Sequence, residues 1–138
     1  MNTRRFLLTW PFLVILGSAV EANSQPARPL RERIPEADPA KYGGTQEGSR
    51  WANPFLTVHG SGIQIEDVTR PGELLSIQSA LLMLETLPDS AWPYGRVVAV
   101  SESGLQGRDE HPEIEKLLRQ LLAALAKMDV KVTLWPSA

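Results

Sequence analysis

From residue 54 onward the sequence predicts a small α/β (α+β) domain. The expected form is a two-layer sandwich with a mixed four-stranded sheet and two helices, in the order strand, strand, helix, strand, helix, strand. Three observations carry this reading. Apolar residues from Ile114 to Met128 recur at the 3.6-residue period of an amphipathic helix. Residues 97–100 are apolar at every position, the pattern of a strand buried on both faces. Residues 55–59 and 63–68 flank Gly60-Ser61-Gly62, a glycine-bearing hairpin connection. Helices between strands favour right-handed crossovers and parallel pairing, whereas the hairpin is antiparallel, so the sheet is expected to be mixed.

Residues 1–22 read as a secretory signal: Arg4 and Arg5, an apolar stretch over 6–16, then small residues before a cleavage point after Ala22. The apolar stretch is shorter than the roughly 20 residues a membrane span requires. The expectation is therefore an exported chain, periplasmic or secreted, that touches a membrane only if this segment stays uncleaved. Residues 23–53 hold Pro26, Pro29, Pro35 and Pro39 with Gly43, Gly44 and Gly48, a composition that predicts an exposed, disordered linker. Tyr42 and Trp51 are its large aromatics, suited to pinning it to the domain.

Ile63 and Ile65 share one face of their strand, with Gln64 and Glu66 on the other. After the turn at Pro71-Gly72, residues 73–87 read as a helix ended by Pro88. Its apolar residues spread beyond one stripe, so it is expected to be covered on more than one side. Residues 89–95 form a turn-rich loop with Trp92 and Tyr94. The strand at 97–100 leads into a polar loop over 101–111, and Pro112 with Glu113 suits the first turn of the helix at 113–128. Asp129 stands where helices end in a left-handed residue. Val130, Val132 and Leu134 alternate with Lys131, Thr133 and Trp135, a strand with one wet face that belongs at or near a sheet edge.

The 138 residues carry a net charge of −2, which gives no electrostatic basis for nucleic-acid binding. There is no cysteine, which excludes disulfides, thiolate nucleophiles and Cys-ligated zinc. His59 and His111 are the only histidines and lack metal-ligand spacing, even with Asp109 added, so no metal site is expected. The glycines match no phosphate-binding fingerprint and no serine stands in a nucleophile elbow, so no cofactor is implied. Glu102, Asp109, Glu110 and His111 are the candidates for acid–base work, in a loop at the carboxyl end of a central strand where α/β sheets place ligands. Helix capping and turn formation account for the same residues. Trp51, Trp92, Tyr94 and Trp135 are the candidate binding residues, being of the types that anchor interfaces.

The glycine-turn hairpin, the proline turn before the helix at 73–87, the strand at 97–100, the amphipathic helix and the terminal Val-x-Val-x-Leu strand together resemble the periplasmic domain of ExbD/TolR-type transport proteins. The resemblance implies that topology, with dimerisation or contact to envelope proteins. It departs from the family in its N-terminal segment, which carries no acidic residue over 6–16, and in the length of the loop at 104–111. The expected function is that of an exported, non-catalytic domain mediating protein–protein contact or self-association, including homodimer formation. The alternative is a small enzyme or ligand-binding domain using residues 102–111.

Overall fold

The computed structural model describes residues 28–44, 50–104 and 111–136. The expected signal at 1–22, residues 23–27 and 45–49 of the expected linker, and the loop residues 105–110, Asp109 and Glu110 among them, lie outside the described residues. Four strands, β1 (Phe55–His59), β2 (Gly62–Ile65), β3 (Val97–Glu102) and β4 (Lys131–Leu134), form one sheet. Its order is β2-β1-β3-β4, antiparallel between β1 and β2 and parallel elsewhere, so it is the expected mixed sheet. Among the described residues four α-helices accompany it, α1 (Leu30–Arg33), α2 (Pro39–Tyr42), α3 (Ile77–Thr86) and α4 (His111–Lys127), with a short 3-10 turn at Asp89–Ala91.

Alternation along the strands divides the sheet into two faces. Leu56, Val58, Ile63, Ile65, Val98 and Val100 point one way and pack with Ala80 and Leu84 of α3 and Ile114, Leu121 and Leu125 of α4. That is the main core. Val97, Ala99 and Ser101 point the other way and are also buried, as the unbroken apolar pattern of β3 requires.

The connections differ from expectation in two places. His59 pairs with Gly62, so the hairpin turn is the two residues Gly60-Ser61, and β2 stops at Ile65. Asp67 follows with a φ of 65°, turning the chain away from the sheet. The helix expected from residue 73 begins at Ile77, because Leu75 instead bridges Ile63 through a pair of 2.8 Å backbone hydrogen bonds. Ser76 then caps the helix by accepting from the Ser79 amide. The bridge covers part of the outer edge of β2, and a Cβ on Gly62 would lie 2.7 Å from that of Leu74. Within α3, Leu82 is 63% exposed, so the helix is not covered all round.

The described part of the supposed linker is not an exposed tether. Leu30 and Ile34 are buried in the main core beside Trp92. Arg33 donates to the Glu85 carbonyl and to Asp89, fixing α1 against the end of α3. The chain then passes the start of the central strand β3: the Arg96 amide donates to Pro35, the Asp38 amide to Tyr94, and Glu36 bridges Arg96. Residues 28–44 are thus a strap joining both faces. Gly95, at φ 87°, lies under it, where a Cβ would come within 2.4 Å of the Glu36 carbonyl oxygen.

Candidate functional site

Three features of the described surface bear on function: an aromatic face, the edge strand β4, and the carboxyl end of β3. The aromatic face begins with the small side chains of Ala99 and Ser101 in the central strand. Trp135 continues β4, donating its backbone N–H to the Val100 carbonyl. The Trp135 indole reaches across β3 to Phe55 on β1, with ring centroids 5.2 Å apart. Trp51 contacts Trp135 at 5.9 Å and Tyr94 at 5.0 Å, and Tyr42 of α2 closes the group at 5.5 Å from Trp51. These separations and the mostly edge-to-face angles suit the ring quadrupoles.

Trp51, Tyr94 and Trp135 therefore come together as one cluster, joined by Tyr42 and Phe55. Trp92 does not join them. It is 3% exposed within the main core, so, against the sequence expectation, it offers no surface to a partner. Trp51 and Trp135 are half-buried, each with part of its ring accessible.

The cluster is held from beneath by Asn53, a buried residue that sequence reading did not single out. Its Nδ2 donates to the Gly95 and Val97 carbonyls at 2.8 and 2.7 Å, and its Oδ1 accepts from the Tyr94 amide at 2.8 Å. An asparagine before a strand reads as a turn residue, and its partners are some forty positions away, so no local signal marks this role. Beside the cluster runs an open groove of about 470 Å³, walled by Trp51, Phe55, Trp135, Glu66, Asp67 and Val68.

No protein-family model, curated protein or solved structure matches this chain. Its surface chemistry must therefore be read from the chain itself.

β4 closes the sheet on one side, and among the described residues no strand pairs with its outer edge. Lys131 and Trp135 donate their amides to Arg96 and Val100 on the inner side. The parallel ladder alternates, so Thr133 also faces inward and the N–H and C=O groups of Val132 and Leu134 point outward. Leu134 is 57% exposed at this edge.

At the carboxyl end of β3, the acid–base candidates are dispersed or engaged. Glu102 belongs to the strand and lies opposite Val58. His111 opens α4 and its Nε2 lies 3.1 Å from Glu115, both side chains well exposed. Glu102 and Glu115 share a shallow depression with Leu118 and Arg119. Asp109 and Glu110 are outside the described residues. His59 is on the aromatic side of the sheet, 3.1 Å from Gln64. Among the described residues no three His, Asp or Glu side chains are grouped as metal ligands, and no helix is long and apolar enough to cross a membrane.

Proposed function

We propose that this chain is an exported, non-catalytic interaction module that binds by strand addition to the outer edge of β4, with a second copy of itself as the partner. The observation that carries the reading is the open edge with Leu134 exposed on it. Protected sheet edges are usually short, charged, bulged or covered. Here the Leu75 bridge covers part of the β2 edge, whereas no backbone among the described residues bridges the outer edge of β4, a short strand whose one charge is Lys131 at its start.

The pairing has one favoured register. An antiparallel partner related by a two-fold axis at Thr133 sets Val132 opposite Leu134 and Leu134 opposite Val132. Both are positions whose amides and carbonyls point outward, so each pair exchanges both hydrogen bonds. The same register sets Lys131 opposite Trp135, a cation beside an indole, and lays Leu134 against half-buried Val132. Centring the axis on Leu134 instead sets Val132 opposite Pro136, which has no N–H to give. The ExbD/TolR-like order of elements supports a role of this kind, and the N-terminal signal pattern supports an envelope or extracellular setting.

Sedimentation velocity on the purified chain and its Leu134→Pro variant tests the proposal. Proline at 134 blocks the edge but removes no bond to β3, because that amide points outward. The expected result is a concentration-dependent dimer for the parent and a monomer for the variant. A parent that stays monomeric to millimolar concentration, or an equally dimeric variant, overturns it.

A further inference from the structure

The groove beside the aromatic cluster shares Trp135 with the β4 edge but has its own chemistry. Trp51, Phe55 and Trp135 supply rings, while Glu66 and Asp67 supply two exposed carboxylates. The register of the sheet brings them together: Glu66 follows β2 on the same face as Phe55 and donates its amide to the Phe55 carbonyl at 2.9 Å. Asp67 is held next to it by its left-handed backbone, one that aspartate tolerates better than most side chains. Neither carboxylate has an ion-pair partner among the described residues, and no lysine or arginine lines the groove.

We propose that this groove binds a lysine- or arginine-bearing segment of a partner polypeptide. The argument is one of complementarity. Aromatic faces attract a cation through their quadrupoles, most strongly when it is shielded from water, and the carboxylates add charge-assisted hydrogen bonds to an ammonium or guanidinium. An anionic ligand meets two like charges here, and a wholly apolar ligand leaves both carboxylates to be desolvated without compensation. A volume of about 470 Å³ accommodates a long side chain with its flanking backbone. Trp135, one wall of the groove, also has an indole Nε1 buried with no hydrogen-bond partner among the described residues. A peptide carbonyl admitted by a small ring displacement would satisfy it.

The test uses acetyl-Gly-Arg-Gly-amide as probe, with acetyl-Gly-Glu-Gly-amide as control, in NMR titrations of the Leu134→Pro chain. That background keeps self-association out of the measurement, so failure here leaves the β4 reading standing and the reverse also holds. The arginine peptide is expected to shift the Trp51 and Trp135 indole signals saturably. Affinity should fall about tenfold or more in a Glu66→Gln, Asp67→Asn double variant, and further at high salt. The glutamate peptide should produce no saturable shift. Both substitutions are at exposed positions, so an unchanged amide spectrum elsewhere confirms folding of the variant. No saturable response to the arginine peptide, an equal response to the glutamate peptide, or an affinity unchanged in the double variant each overturns the proposal.

Discussion

Replacing Arg96 by methionine isolates what holds the strap to the domain. Arg96 is 7% exposed. Its guanidinium donates to the Ile34 carbonyl at 2.6 Å, to the Asp129 carbonyl at 2.9 Å and to Asp129 Oδ2 at 2.8 Å, with a longer 3.4 Å contact to the Arg31 carbonyl. Hydrogen bonds from a charged donor contribute about 1.5–3 kcal/mol each. The two shorter carbonyl bonds therefore set a loss of roughly 3–6 kcal/mol. The Asp129 carboxylate is 61% exposed, so its ion pair adds at most about 1 kcal/mol. Methionine restores some apolar packing, worth on the order of 1 kcal/mol. The net cost is then about 3–6 kcal/mol, or a fall in Tm of roughly 10–25 °C for a domain of this size. Because two of the carbonyls belong to the strap, hydrogen exchange at residues 30–34 should quicken more than in α4. A melting point within about 2 °C of the parent, or strap amides as protected as before, refutes this account. Arg96→Lys should recover only part of the loss, since a single ammonium cannot reach both Ile34 and Asp129 in the geometry of the planar fork.

Other substitutions separate the remaining parts. Gly95→Ala should destabilise by more than about 2 kcal/mol, because a left-handed alanine costs about 1–2 kcal/mol before its Cβ meets the strap, and calorimetry measures it. Asn53→Ala leaves two carbonyls and one amide without their buried partner. It should cost about 2–4 kcal/mol in chemical denaturation and alter the tryptophan fluorescence of the cluster. Asp129→Gly should be neutral or destabilising by up to about 1 kcal/mol, since the small relief of the φ of 60° is offset by loss of the carboxylate that pairs with the buried Arg96 guanidinium.

The parts of the fold written in local periodicity were legible in the sequence. The apolar repeat in α4, the unbroken apolar run of β3 and the left-handed turn at Asp129 follow from spacing alone. The strap was not legible, because its composition is mostly charged residues, proline and glycine and only Leu30 and Ile34 reach the core. Those two are four residues apart between Pro29 and Pro35, a helical spacing too short to stand out against its surroundings. The start of α3 was obscured for a different reason: Leu74 and Leu75 fit the helical stripe, yet Leu75 is taken by the β2 edge. Of the candidate site, the aromatic types were readable but not their grouping. Trp92 and Tyr94 are two residues apart in one loop, and only the packing sends one into the core and the other to the aromatic face. Glu66 reads in the sequence only as an outward strand residue and Asp67 carries no signal, because their place beside the rings is set by strand register.

Amide exchange along β4 as a function of protein concentration tests the central claim most directly. Lys131, Thr133 and Trp135 bond to β3 and should keep constant protection. Val132 and Leu134 should exchange freely when dilute and become protected together as concentration rises, with no such change in Leu134→Lys. Concentration-independent exchange at Val132 and Leu134, in a chain that still self-associates, would place the contact elsewhere and contradict the account.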